Sequence, residues 1–356
     1  MLLIIAGTRP ELIKLYSVIK SLEADKIPYY LLLTNQQADL ANEALNSMNL
    51  KADSILVNVI NDSSINFIKE SIVEISALIS RLNPTAIIVH GDTYTTLVGS
   101  LAAFIKQIPL VHVEAGLRTW SLSNPWPEEG IRRISDSVSN ILFVPNEQDA
   151  KNLQLASDQE IYVVGNSGVD IVKKLGKTID STFRFSQKPR KVILTFHRRE
   201  SQGEVMKRIG KEIIDFMKVN SDMYEITLFS HPNPETRKSL KELISSGFVC
   251  VKNPSEYANF IDALSQSWLC ITDSGGVLLE TVTLGVPTAV IRDYVETDIS
   301  TSPAVLFGRN PGVVDQIFKY FSNSSVYLEH AVPSPLFGDG FSGEKISNII
   351  KTKYYS

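Results

Sequence analysis

Short apolar runs alternate along this chain with longer stretches of helical period. In the first half, the runs predicted as strands are 2–6, 29–33, 86–89, 110–113, 141–144 and 161–164. The second half repeats the scheme with 192–195, 225–229, 248–251, 269–272 and 288–291. Strands that read as continuous apolar runs, separated by helical patterns, predict an α/β fold of parallel sheets covered by helices. The polar stretch 177–190 has no apolar period and is the predicted hinge, dividing the chain into domains at 1–176 and 190–340. Ligands of open parallel sheets sit at the carboxyl ends of the strands, so two such sheets facing one another predict an interdomain cleft.

Charged residues cluster where the predicted strands end. Arg9 follows the first strand, Asp92 the third, Glu114 the fourth, and His197 and His231 the first two strands of the second half. Asp92 suits either a cap on the helix that follows or a proton carrier. Glu114 ends a buried strand, where a carboxylate has no packing role unless Arg118 pairs with it. Glu128 and Glu129 open a helical run after Pro125-Trp126-Pro127, a place the helix dipole alone would explain.

In the second half, the run Asp273-Ser274-Gly275-Gly276 follows an apolar strand and leads into Val277-Leu278-Leu279-Glu280. A strand that stops at two glycines and restarts as a helix presents free N–H groups and a positive dipole end to one point, where a phosphate fits. Glu280 lies about one turn further on, and a carboxylate there suits the two hydroxyls of a ribose. The alternative is an ordinary strand-to-helix turn.

Composition narrows the class. The chain has 356 residues, 44% of them hydrophobic, enough for two cores. A net charge of -4 offers no basic face to nucleic acid or to an anionic membrane, and points to a small-molecule partner. No segment approaches the roughly 20 apolar residues of a membrane span, and the apolar start 1–6 is too short for a signal-peptide core, so the cytoplasm is the expected compartment. Cys250 and Cys270 both sit in apolar strand-like runs and are expected as small buried hydrophobes.

Several carboxylates converging on one pocket raise one another's pKa and supply both a proton acceptor and a proton donor. His197-Arg198-Arg199-Glu200 adds an imidazole and guanidinium groups suited to the charge of a departing diphosphate. His90 and His112 flank carboxylates, but no two histidines share a metal-ligand spacing, so no metal is expected.

These blocks, in their order, resemble the non-hydrolysing UDP-N-acetylglucosamine 2-epimerases. The resemblance runs from Gly7-Thr8-Arg9-Pro10-Glu11 through His90-Gly91-Asp92-Thr93, His112-Val113-Glu114-Ala115-Gly116-Leu117-Arg118-Thr119 and Pro127-Glu128-Glu129 with Arg132. It continues through the blocks at His197, His231, Asp273 and Arg292-Asp293 to Phe337-Gly338-Asp339-Gly340. It implies a GT-B fold, in which two Rossmann-like halves close on a nucleotide sugar and a C-terminal helix, here 344–351 within the segment 341–356, crosses back to the first domain. It implies an isomerase that eliminates UDP to a glycal and adds it back, without NAD or metal, and a homodimer.

By the same resemblance Asp92, Glu114 and Glu128 do acid-base work and His197 assists the departing UDP. Arg9 and Lys14 contact the diphosphate and substrate. Ser274, Gly275, Gly276 and Glu280 form the UDP loop, Arg292 belongs to the substrate set, and Tyr257 and Phe260 lie beside uracil. Read from their spacing alone, Tyr257 and Phe260 are core.

The chain also departs from the family. The usual Gly-Gly-Ile-Gln-Glu-Glu reads Gly275-Gly276-Val277-Leu278-Leu279-Glu280 here, and a usual arginine is Thr297. The bacterial activator block reads Thr34-Asn35-Gln36-Gln37-Ala38-Asp39, closer to the archaeal form. The activator block gives no expectation of activator control, while the arginine lost at Thr297 keeps open a modified UDP-2-acetamido sugar as substrate. A hydrolysing epimerase or a GT-B glycosyltransferase is the alternative in another enzyme class, and a nucleotide-sugar sensor is the non-catalytic one.

Overall fold

The computed structural model describes residues 1–56, 63–154, 156–196, 203–230, 234–252, 257–293, 295, 299–300 and 302–355. The blocks at His197 and His231, and Thr297, lie outside them. The chain forms two compact units, Met1–Ile171 with Phe337–Ser356, and Val172–Leu336.

The first unit opens with β1 (Leu2–Ala6), α1 (Arg9–Ala24), β2 (Tyr29–Leu33), α2 (Ala38–Ser47), β3 (Ser54–Ile55) and α3 (Ser64–Leu82). It continues with β4 (Ala86–His90), α4 (Tyr94–Lys106), β5 (Leu110–Val113), α5 (Glu128–Val138), β6 (Ile141–Val144), α6 (Glu147–Lys151), β7 (Glu160–Val163) and the start of α7 (Ser167–Leu175). All the strand pairs are parallel, in the order β3-β2-β1-β4-β5-β6-β7.

Alternation along β1 sends side chains to two cores. Leu2, Ile4 and Ala6 pack with Leu12, Leu15 and Ile19 of α1, while Leu3 and Ile5 pack with Phe67 and Ile75 of α3 and Val98 of α4. Burial on both faces is why β1 reads as an unbroken apolar run, and β4 and β5 as runs interrupted only by His90 and His112.

The second unit contains α8 (Ser181–Ser186), β8 (Arg190–Thr195), α9 (Glu204–Asn220), β9 (Tyr224–Phe229), α10 (Pro234–Ser239), α11 (Lys241–Ser245) and β10 (Val249–Lys252). Then come α12 (Tyr257–Ser265), β11 (Leu269–Thr272), α13 (Gly275–Leu284), β12 (Thr288–Val290), β13 (Ala304–Leu306), α14 (Val313–Ser322) and α15 (Ser324–His330). Its sheet is again parallel, ordered β10-β9-β8-β11-β12-β13. Trp268 stacks on Tyr327 in this core with ring centroids 5.5 Å apart, and the Arg190 guanidinium lies 4.8 Å over the Trp268 ring.

Several expectations are corrected. Within the stretch expected as a hinge, 177–190, α8 forms and Arg184 is buried, donating to the carbonyls of Gly285 (2.7 Å) and Ser265 (3.2 Å). Cys270 is buried, but Cys250 is exposed, since β10 is an edge strand open on one side. The short strands β3 and β13 were not among the expected strands and pair in parallel with β2 and β12.

The last helix, α16 (Ser342–Tyr354), is longer than the expected 344–351 and packs on α1 with Ile346 and Ile350 in its core. Asp170 accepts from the N–H groups of Ser342 (3.2 Å) and Gly343 (2.7 Å), which a helix start leaves unpaired. At Gly343 an added Cβ would lie 2.5 Å from the Ser17 carbonyl. Gly343→Ala should therefore destabilise the first unit by about 1–3 kcal/mol, seen as a lower urea midpoint, and an unchanged midpoint would show that the helices approach less closely.

Candidate active site

A cavity of about 300 Å³ opens in the first unit at the carboxyl ends of β1, β4 and β5, lined among others by Lys14, His90, Asp92, Glu114 and Glu128. Its floor is the start of α1. Thr8 caps that helix, Pro10 stands in its first turn, and Glu11 closes a capping box. The Glu11 carboxylate is buried and accepts from the N–H groups of Gly7 (2.8 Å) and Thr8 (2.7 Å) and from the Thr93 hydroxyl (2.6 Å). Burial raises its pKa despite these bonds. Arg9 begins α1 and is half-buried, but does not line the cavity.

Glu114 follows β5 with φ +68°, a left-handed conformation that costs a non-glycine residue about 1–3 kcal/mol. Its carboxylate accepts from Lys14 Nζ at 2.6 and 2.7 Å and from Asn166 Nδ2 at 2.9 Å. The expected partner, Arg118, lies instead 2.7 Å from Asp136. Burial works to raise the Glu114 pKa, but the Lys14 ammonium and the Asn166 amide outweigh it and hold it at about 2. The expectation that neighbouring carboxylates raise one another thus fails at Glu114, because a cation stands closer than any acid. His90, 3.1 Å away, is pushed down to about 3 by burial and is neutral near pH 7.

Asp92 does not cap α4, since Thr93 does so through its hydroxyl. The Asp92 carboxylate instead accepts from Arg132 Nε at 2.8 Å. Glu128 and Glu129 divide on α5. Glu129 is fully buried and accepts from the Thr119 N–H and Arg133 Nε, both at 2.9 Å. Glu128 lines the cavity, and its Oε2 is buried without a hydrogen-bond partner.

Lys14, Asp92, Glu114 and Glu128 are thus brought to one cavity. His90 lines it too, and Asn166, which donates to Glu114, was not among the sequence candidates. Asp149 is raised to about 6, by burial first and then by the Glu114 charge. The rule that picks residues just past strand ends applies equally to Asn166 after β7.

In the second unit, Ser274 caps α13, its Oγ accepting from the Val277 N–H. Gly275 and Gly276 are exposed, and a Cβ built on Gly275 would meet nothing within 4 Å, so the backbone there is open to a ligand. The Ser274 N–H is held by Thr272 Oγ1 at 3.0 Å, which is bonded to Thr195 at 2.9 Å. Glu280 is half-buried on the same helix, and Arg292 is buried just after β12. Tyr257 is half-buried at the start of α12, while Phe260 is buried with its ring edge-on to Phe229 at 4.9 Å, so it packs as core. Leu278 and Leu279 are buried too, so the acid and amide missing from α13 are replaced by apolar packing.

Residues 20–351 match the family model of UDP-N-acetylglucosamine 2-epimerase. The chain belongs to this family. It is 36% identical over 309 residues to the UDP-N-acetylglucosamine 2-epimerase of Neisseria meningitidis, covering 83% of each chain. A crystal structure of UDP-GlcNAc 2-epimerase from Neisseria meningitidis bound to UDP-GlcNAc superposes with a TM-score of 0.88 at 30% identity, over 99% of this chain and 100% of that one. Acinetobacter baumannii MurG, at 15% identity and a TM-score of 0.62 over 99% of both chains, shares the fold alone. The parallel-sheet GT-B class expected from the sequence is the class of these structures.

Lys14→Met should leave Glu114 buried without its cation. Its pKa should rise above the ordinary carboxylate value, and the unfolding free energy at neutral pH should fall by about 1–3 kcal/mol. A carboxylate with a depressed pKa contributes stability above its unfolded pKa and loses it as pH falls through the folded value. The gap between wild type and variant should therefore close as pH falls from the variant's raised value, above the ordinary 4.5, to about 2. Urea unfolding across that range checks the sign, and a gap that persists at low pH would contradict it.

Proposed function

We propose that this chain interconverts UDP-N-acetylglucosamine and UDP-N-acetylmannosamine. The C2–H bond and the C1–O bond to UDP break, the C–H electron pair becomes the C1=C2 double bond of a glycal, and UDP then adds back at C1 as a proton reaches C2 from the opposite face. The observation that carries this reading is the cavity of the first unit, where Asp92 and Glu114 are tied to Arg132 and Lys14 while the Glu128 carboxylate has an unpartnered oxygen. An acid with no competing donor is free to exchange a proton with a substrate. Glu128 is therefore the principal proton carrier in this reading, with Asp92 and Glu114 as the other members of the set.

Ser274, Gly275, Gly276 and Glu280 would hold UDP through open N–H groups and a carboxylate, with Arg292 and Tyr257 beside them. Phe260 would support that site from the core. Arg9 and Lys14 are assigned to the diphosphate side and His197 to the departing UDP, on the motifs they belong to. The residue sets call on no metal or cofactor.

The protein is proposed to be a homodimer. Helices α3 and α4 pack on each other and leave Ile65, Val73, Phe104 and Ile105 at least 60% exposed, an apolar surface suited to a second copy. The exposed unpaired thiol of Cys250 supports a reducing compartment such as the cytoplasm. Among the described residues no helix is long and apolar enough to cross a membrane.

Incubation with UDP-N-acetylglucosamine in deuterated water, followed by proton NMR, tests the reaction. The expected product is the C2 epimer carrying deuterium at C2 with UDP attached. Free N-acetylmannosamine with UDP would identify a hydrolysing enzyme, and bound sugar without exchange would exclude this substrate. Glu128→Gln should lower the exchange rate by about 10²-fold or more, with UDP affinity within a few-fold. Light scattering should give twice the chain mass for the wild type and a smaller species for Phe104→Lys. A wild-type monomer would overturn the dimer.

A further inference from the structure

One fully buried side chain near the cavity is not used by the reaction above. His112 on β5 is 0% exposed. Its Nδ1 lies 2.7 Å from Asp136 Oδ1 and its Nε2 lies 2.7 Å from the Gly91 carbonyl oxygen. A carbonyl oxygen has no proton to give, so Nε2 must carry one. Asp136 has none to give either, because its other oxygen receives Arg118 Nη1 at 2.7 Å and the Gly116 N–H at 3.3 Å, donors that hold it ionised. Both ring nitrogens therefore face acceptors, and the arrangement is satisfied only if both are protonated.

The bond to Gly91 acts on the acid next to it. The Gly91 carbonyl belongs to the same peptide unit as the Asp92 N–H, so fixing it fixes the plane from which the Asp92 side chain departs. Gly91 is in the left-handed region at φ +70°, and its N–H is held by the Val113 carbonyl at 2.9 Å. Asp136 stands four residues after Arg132 on α5, so one helix reaches Asp92 twice, directly through Arg132 and through Asp136, His112 and Gly91. On its other side Asp136 ties down Gly116 and Arg118, in the segment that follows Glu114.

We propose that His112 is a positioning residue in the form of a buried imidazolium, which locks the Gly91–Asp92 peptide and, through Asp136, the segment after Glu114. This rests on the epimerase reading for the chemistry that Asp92 performs, while the charge state of His112 stands on geometry alone. The charged groups around the ring agree with it. Burial opposes the charge, but Asp136, the Gly91 carbonyl and Asp92 outweigh burial and raise the proton affinity of the ring, and His90 beside it is neutral. With a raised pKa, the stabilisation is full below the unfolded value and is lost as pH rises through the folded one.

The test is a long-range ¹H–¹⁵N spectrum of the full labelled chain, which has five histidines, with His112 assigned through nuclear Overhauser contacts of its ring protons. Both His112 nitrogens should show the protonated signature and should not titrate through the range where a free imidazole does. A lone pair on either nitrogen at neutral pH would overturn the proposal.

In Asp136→Asn the ring should become neutral, and C2 exchange should lose about 10- to 100-fold in kcat with KM within about 3-fold. A folded variant with full kcat would overturn the positioning role. If that variant does not fold, the wild-type spectrum and an alkaline loss of kcat tracking any deprotonation of His112 decide instead. If the wild type shows no exchange at C2, the epimerase reading fails, and the spectrum still reports on His112.

Discussion

A carboxylate at the end of a buried strand must find a cation or give up its charge, and at the end of β5 Glu114 finds Lys14. The pair joins residues 100 positions apart and brings α1 against the β5 end. That contact helps to hold the first turn of α1, with its Thr8–Glu11 capping box, on the floor of the cavity. The left-handed backbone at Glu114, costly in itself, is kept because Lys14 and Asn166 hold the side chain from two directions.

The acids around this cavity differ in how far the protein has committed them. Glu11 is spent on the backbone of its own helix start, Glu129 on Thr119 and two arginines, and Asp136 on His112 and Arg118. Asp92 and Glu114 each hold a cation but also face the cavity, and Glu128 faces it with an oxygen unpaired. Helix α5 orders much of this set, because Glu128, Arg132 and Asp136 recur every four residues along one side of it. Committed acids keep the shape of the site, and Glu128 keeps an unpaired oxygen toward the cavity.

The second unit solves a different problem with little charge. Its loop between β11 and α13 offers backbone N–H groups on exposed glycines, steadied by Ser274 and the Thr272–Thr195 hydroxyl pair. Such a site suits a ligand that brings its own negative charge. The apolar Leu278 and Leu279 behind it are buried and make α13 a packing element as well.

Hydrophobic period alone was enough to recover the α/β class and most strands, because a strand buried on both faces has to be apolar throughout. The place where strands end was enough to bring forward Asp92 and Glu114, since polar groups there have a surface to serve. What a residue at such a place does was not legible. Asp92 read equally as a helix cap, Glu114 as a partner of Arg118, Cys250 as core, and 177–190 as a hinge. In the structure Thr93 takes the cap, Lys14 takes Glu114, an open sheet edge exposes Cys250, and the carbonyls of Gly285 and Ser265 draw Arg184 into the fold. Periodicity is local and survives in a one-dimensional string. Ion pairing depends on distances between residues far apart in the chain, so only the tertiary structure decided which carboxylates are tied, which is free, and where the buried proton of His112 resides.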